Sequence, residues 1–411
     1  MVFERERAKR DPDGPLRIAL VMRDYDSGKG GAERYFVNLS RALAKMGHEV
    51  HIVAAVFAEP ETQGIVFHSV PMMKKPSFLR ILGFFLESRK MIREMRDDLD
   101  IVQSLTMVYP CDVFRLGGEV HREWMKVRCP SLMERFLKHL FNPVHILNYY
   151  FEKKIMEREN TGWVITISEL EKRILRKYYD YPEDRITVVY NGVDHGQFHP
   201  GVKKYRSMVR CELGLRESEV VALFAANNFQ RKGLDAVVSA LARLAPDERP
   251  RVLVLGRGKA IPYVRQARHL GVERSLLFHG PVGDPERFYG AADFFVLPSR
   301  YDSFANVHLE ALACGLPVIT TKMAGGSEVV QEGKTGFVIE RTDEIDALAH
   351  AFREMMNPVR RDAMSRRAPE TATGFTLERN AGETVAVYKS ILSVDFLRDQ
   401  QRSWGKSEHK I

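Results

Sequence analysis

Short apolar runs alternate with longer stretches of helical period along the whole chain. In the first half, candidate strands fall at 16–23 (LRIALVMR), 49–56 (EVHIVAAV), 65–70, 100–104, 163–167 and 186–190, with helical stretches such as 31–46 and 77–95 between them. The second half repeats the pattern, with candidate strands at 219–226, 251–255, 275–279, 293–297, 316–320 and 335–339. Strands that are nearly continuous in apolar residues, each separated by a helix, predict doubly wound parallel sheets, an α/β architecture. The polar, irregular segment 191–204 (NGVDHGQFHPGVKK) reads as a linker, so domains are expected at 1–195 and 196–375. A final helix is expected at about 376–393, within a closing segment 376–411 whose end is polar.

Length supports two cores, since 411 residues exceed what one ordinary core holds. Four scattered cysteines, Cys111, Cys129, Cys211 and Cys314, contain no C-x-x-C and suggest neither a disulfide framework nor a zinc site. The start, MVFERERAKRDPDGP, has no apolar core of a secretory signal, and the run Ile81–Leu86 is too short to span a bilayer. A cytoplasmic protein, peripheral on a membrane surface, is the expectation. The net charge of +8 allows anionic partners without choosing among nucleic acid, nucleotide and lipid.

Candidate chemistry concentrates in the second half. In 298–315, PSRYDSFANVHLEALACG, Pro298, Ser299, Asp302 and Ser303 read as a turn, and a helix is expected from Phe304 to Cys314, stopped by Gly315 and Pro317. Eight residues separate Asp302 from Glu310, close to two helical turns, which would set both carboxylates on one side of a cleft. The plain alternative is an N-capping Asp and a solvated Glu. In 223–235, LFAANNFQRKGLD, a strand enters a Gly-containing turn with Arg231 and Lys232 at the junction, where two cations would complement a diphosphate. An Arg-Lys pair alone is more often solvated surface.

Taken together, RKG, the D-x7-E spacing in YDSFANVHLE, EALACGLPVITT, NGVD at 191–194 and an early GGAER resemble the retaining nucleotide-sugar glycosyltransferases of family 4. The resemblance covers nearly the whole chain and is strongest at about 186–340. It implies the GT-B fold, two Rossmann-like domains facing across a cleft. The first would bind the acceptor and the second the nucleotide sugar, with the last helix crossing back to the first. Within the family, NNFQRKGLD and DVFRLGGEVHREWMKV are most similar to lipopolysaccharide core glucosyltransferases, which act on the inner-core heptose. The implied donor is a nucleoside diphosphate hexose, most simply UDP-glucose, and the implied acceptor a lipid-linked saccharide; another envelope glycan with another nucleotide sugar is the alternative.

By the same resemblance, Arg231 and Lys232 neutralise the diphosphate, Glu310 holds the ribose, and Asp302 with the backbone of Ser303, Phe304 and Ala305 holds the sugar. Gly30, Gly31, Asn306 and Val307 complete the implied donor set. The family normally has Glu at the position of Asp302, which is shorter by one C–C bond, roughly 1.5 Å. His121, in GGEVHREWM, is the first-domain candidate for the reacting sugar, because imidazole hydrogen-bonds a hydroxyl without a permanent charge; a structural histidine is the alternative. No covalent nucleophile is implied. The short matches Asp24-Tyr25-Asp26 and Asp98-Leu99-Asp100 lie far in sequence from the phosphate site, where Arg231, Lys232 and the helix N-terminus already supply positive charge, so no cofactor and no essential metal are expected.

Two other classes compete. The loop Ser27–Glu33 follows the first strand as in dinucleotide-dependent oxidoreductases, but it lacks the G-x-G-x-x-G spacing and an acid after Val53-Ala54-Ala55. A non-catalytic membrane-surface protein would use 74–90 and 124–158, where basic residues flank apolar and aromatic ones; beside the transferase motifs these segments read as docking an enzyme on an anionic membrane, the cytoplasmic face of the inner membrane. No base-reading motif accompanies the charge, so no nucleic-acid partner is expected.

Overall fold

The computed structural model describes residues 14–59, 62–72, 76–129, 131, 133 and 142–407, with side chains to 393. Lys74 and Lys75 of the first basic segment, and Arg135, Phe136, Lys138, Leu140 and Phe141 of the second, lie outside the described residues. The chain divides into two compact units. The first comprises residues up to Ile167, Glu171–Tyr190 and the chain from Leu377 onward; the second comprises Ser168–Leu170 and Asn191–Thr376.

The first unit is built on a sheet of β1 (Arg17–Val21), β2 (Glu49–Ala54), β3 (Ile65–Ser69), β4 (Ile101–Ser104), β5 (Cys111–Leu116), β6 (Thr161–Thr166) and β7 (Ile186–Val188). Their spatial order is β3-β2-β1-β4-β5-β6-β7, with every pairing parallel. Chain order reverses direction between β1 and β4, which is the doubly wound arrangement. The helix Gly31–Lys45 buries Tyr35, Phe36, Val37, Leu39 and Leu43 against this sheet.

The last helix, Leu377–Ser407, belongs to this unit and places Ala381, Val385, Tyr388 and Ile391 in the same core. That spacing is one helical face. The Tyr388 hydroxyl donates to Gln103 Oε1 at 2.6 Å, and Asn380 Nδ2 to the Tyr190 carbonyl at 2.7 Å.

Strand β5 is not among the expected strands. All six of its residues are buried, yet two carry charge. Asp112 accepts from the Val102 amide at 2.7 Å and from Arg96 at 2.7 Å, and the Arg115 guanidinium lies 3.4 Å above the centre of the Tyr35 ring. Partners supplied from elsewhere in the fold make these charges compatible with burial.

The second unit carries β8 (Val221–Ala225), β9 (Arg251–Leu255), β10 (Leu276–Gly280), β11 (Phe294–Leu297), β12 (Val318–Thr321) and β13 (Gly336–Ile339). The order is β10-β9-β8-β11-β12-β13, again wholly parallel. The break between units falls after Tyr190, five residues before the expected 195/196, because Val193 donates its amide to the Phe375 carbonyl at 2.9 Å and so ties this segment to the second unit. Fully buried Arg210 locks that unit's entry: it donates to the carbonyls of Ala291, Arg216, Glu217 and Glu219 and pairs with Asp293 at 2.7 Å.

Candidate functional site

In an open parallel sheet, ligands bind beyond the carboxyl ends of the strands, where chain order changes direction. In the second unit that point lies between neighbouring β8 and β11, and the loops following these two strands carry Lys232 and Asp302.

The loop after β8 turns through Asn228, whose φ of 62° is one that Asn tolerates, and enters the helix Leu234–Leu241 at Gly233, φ 79°. A Cβ at Gly233 would lie 2.2 Å from the Pro298 carbonyl oxygen, so glycine alone lets the two loops close on each other. The Arg300 amide donates to the Arg231 carbonyl at 2.9 Å, and the Arg300 guanidinium forks onto Asp235, its first bond 2.8 Å.

Held this way, Lys232 and Asp302 are both buried and in direct ionic contact. Burial first, and then the Arg231 guanidinium, pull the Lys232 ammonium well below its ordinary range. The touching carboxylate of Asp302 acts in the opposite sense.

The expected helix over 304–314 is shorter: it runs Val307–Ala313, with Asn306 at its N-cap. Asp302 is therefore in a loop, and the two helical turns expected between it and Glu310 are not formed. Its backbone is pinned as a short bridge, with the Asp302 amide donating to the Met323 carbonyl at 3.0 Å and the Gly325 amide to the Asp302 carbonyl at 2.9 Å. The turn Ser303–Asn306 then packs on Gly325, and the His308 ring beneath it packs on Gly326. A Cβ on Gly325 would lie 1.8 Å from the Ser303 carbonyl oxygen, and one on Gly326 2.3 Å from His308 Nδ1. Ser303 and Phe304 are buried, Val307 is half-buried, and Asn306 Oδ1 accepts from Asn191 Nδ2 at 2.6 Å.

His308 is wholly buried beneath this turn. Its Nδ1 stands 2.9 Å from the Ala305 carbonyl, which only accepts, so Nδ1 carries the hydrogen and Nε2 accepts from the Thr320 hydroxyl at 2.9 Å. Burial lowers its pKa to about 4, keeping the ring neutral. Glu310, nearly buried, accepts at Oε2 from the fully buried Tyr289 hydroxyl at 2.8 Å. The plain alternative of a solvated helix Glu is therefore excluded.

Reading the sequence does not single out His308, Tyr289, Gly325 or Gly326. The Gly-Gly pair is the available signal; His308 and Tyr289 act through tertiary contacts.

Gly30, Gly31 and His121 belong to the first unit. Gly30 is the extended N-cap of the helix Gly31–Lys45, following β1. His121 opens the helix His121–Arg128 after β5, its ring stacked on His145 with centroids 5.3 Å apart. Of the Asp-x-Asp matches, Asp24 is buried between Lys29 and Arg23, each at 2.7 Å, and Asp100 Oδ2 accepts from the Arg17 amide at 2.7 Å.

Two successive α/β units of this topology define the GT-B fold, and solved GT-B structures align along nearly the whole chain. WaaG, a glycosyltransferase involved in lipopolysaccharide biosynthesis, aligns with TM-score 0.77 and 20% identity over 90% of this chain and 99% of its own. Anabaena HepE, solved with UDP and glucose, aligns with TM-score 0.68 and 19% identity over 91% and 100%.

Residues 29–197 match the family Glycosyltransferase Family 4 and residues 208–371 match Glycosyl transferases group 1. The chain is thus a glycosyltransferase of GT-B fold carrying these two domains, and the oxidoreductase alternative falls away. Among sequence relatives, an uncharacterised glycosyltransferase of Methanocaldococcus jannaschii is 24% identical over 91% of this chain and 98% of its own length. The D-inositol 3-phosphate glycosyltransferase of Corynebacterium urealyticum is 32% identical, but the match spans 57% of this chain and 58% of the relative.

Proposed function

We propose that the protein is a retaining, metal-independent hexosyltransferase that moves glucose from UDP-glucose to a lipid-linked saccharide such as a lipopolysaccharide inner core. The observation that carries the reading is the buried contact of Lys232 with Asp302 at the carboxyl ends of β8 and β11.

As the glycosidic bond breaks, negative charge grows on the departing diphosphate. A cation fixed there beforehand acts on the transition state more than on the bound substrate. Lys232, its ammonium disfavoured by burial, gains most from a second anion, and Arg231 adds a fork for phosphate oxygens. Asp302 meets the hexose at its hydroxyls, and Glu310, oriented by Tyr289, accepts from the ribose. Asp302 is shorter than the family's usual Glu, so the Ser303–Asn306 turn, packed closely on Gly325, sets how far the carboxylate reaches.

The acceptor reading draws on the fold shared with WaaG, whose own role is in lipopolysaccharide biosynthesis. Membrane docking has its own support in the helix Pro143–Ile155, where Ile146 and Tyr150 are exposed one turn apart with Lys153 near its end. The test is transfer from a panel of nucleotide sugars to extracted acceptor lipids, with the anomeric configuration of the product read by NMR. Transfer from UDP-glucose with retention supports the reading; inversion, or preference for another donor, overturns that part of it.

A further inference from the structure

The helix His121–Arg128 begins without a local cap. Val120 occupies the N-cap and its side chain has no acceptor, so the first amides of the helix need partners from elsewhere. Two glutamates supply them. Glu171 Oε1 accepts from the Val120 amide at 2.9 Å, and Glu152 Oε2 accepts from the His121 amide at 2.5 Å. Both carboxylates are wholly buried, and they come from different helices, Pro143–Ile155 and Glu169–Tyr178. The Tyr179 hydroxyl donates to the other oxygen of Glu152 at 2.5 Å. Burial pushes the Glu152 carboxyl above its ordinary range, while Tyr179 and the amides of His121 and Arg122 pull it back.

A Ser, Thr or Asp at position 120 would cap the helix locally for about 1 kcal/mol. Burying two carboxylates is far costlier than that unless each is fully hydrogen-bonded. What the pair achieves and a local cap does not is to fix two successive backbone positions to two independent helices. The helix bearing Glu152 also bears His145, which stacks on the His121 ring. Backbone and ring of His121 are thus referenced to one element.

We propose that Glu152 and Glu171 are positioning residues that hold His121 in place for glycosyl transfer. The proposal rests on the transferase reading given above. Neither glutamate touches substrate; each acts through the Val120–His121 backbone.

The test uses the full chain with Glu152→Ala, Glu171→Ala and Glu152→Gln, each alone and combined with His121→Ala. Amide hydrogen exchange at Val120 and His121 is expected to quicken about tenfold or more in the Ala variants while the strands of the same sheet keep their protection. kcat is expected to fall about tenfold to a hundredfold with the donor KM within about twofold, as for a reacting group displaced by a fraction of an ångström. In the His121→Ala background the same changes should cost nothing further, and Glu152→Gln, which keeps an acceptor, should restore most of the activity.

Losses that add across the double-mutant cycle, or exchange rates unmoved at Val120 and His121, overturn the proposal. If an Ala variant does not fold, Tyr179→Phe replaces it, with a smaller loss that must likewise vanish beside His121→Ala. If His121→Ala transfers normally while Lys232→Ala does not, the transferase reading stands and the positioning role falls. Should the unaltered protein transfer no sugar from any nucleotide donor, the transferase reading fails and the catalytic role falls with it, while hydrogen exchange still tests whether the two glutamates clamp the backbone.

Discussion

Lys232 and His308 are the two side chains whose burial has the clearest measurable consequences. If Lys232 stabilises charge arising on the diphosphate, Lys232→Ala should cost on the order of 3 kcal/mol in the barrier, about a hundredfold in rate, with the unfolding transition still cooperative. Turnover near that of the unaltered protein would remove it from the mechanism. His308 acts on the fold. Its ordinary pKa of 6.5 drops to about 4 on burial, so between these values the unfolded chain binds a proton that the folded chain refuses. Stability therefore rises with pH across that window, is fully present above 6.5 and is lost as pH falls toward 4, by on the order of 3 kcal/mol. Urea unfolding at several pH values should show this slope, and His308→Asn should flatten it. An unchanged slope would mean that other groups carry the acid sensitivity.

At the scale of the element, what is legible in the sequence and what is not divides along physical lines. Strands such as β8 (VALFA) and β11 (FFVL) are central and almost wholly buried, so they read as unbroken apolar runs. β5, CDVFRL, is equally buried but hides Asp112 and Arg115, whose partners Arg96, Val102 and Tyr35 are distant in sequence, and no local pattern announces them. The helix after Asp302 reads too long because Phe304 and Ala305 suit a helix by type, yet that turn is pinned by close approach to Gly325, some twenty residues on. Asp302 and Glu310 stand out by spacing and Lys232 by its place beside Arg231 at a turn, whereas His308 and Tyr289 do not. A direct test of loop closure is Gly233→Ala. At φ 79° a Cβ is strained, and it would meet the Pro298 carbonyl at 2.2 Å. A loss of at least about 2 kcal/mol in stability is expected, together with weaker nucleoside diphosphate binding because Lys232 is the adjacent residue. Unimpaired binding by calorimetry would show that the loop reaches its working shape without this contact.

For the molecule as a whole, the net charge of +8 bears on where it works. Among the described residues no helix is long and apolar enough to cross a membrane. On the helix Pro143–Ile155 the exposed Ile146 and Tyr150 lie on the side that continues to Lys153, an apolar patch with a cation at its edge. Each Lys or Arg near an anionic surface contributes about 1 kcal/mol and the effect fades within a Debye length, so salt should weaken the association. The apolar part should not fade with salt. Lys153→Glu is therefore expected to lower binding to phosphatidylglycerol-containing vesicles by about fivefold or more at low salt, and Ile146→Ser with Tyr150→Ser to lower it at low and high salt alike. Neither change replaces Lys232, Asp302 or the Glu152 and Glu171 carboxylates that hold Val120 and His121, so hydrolysis of the sugar donor in solution should continue at the same rate. Co-sedimentation at two salt concentrations separates the outcomes. Loss of both components with donor hydrolysis intact supports docking through this helix, and binding indifferent to all three substitutions would assign the patch to ordinary surface and leave the lipid-linked acceptor to be reached another way.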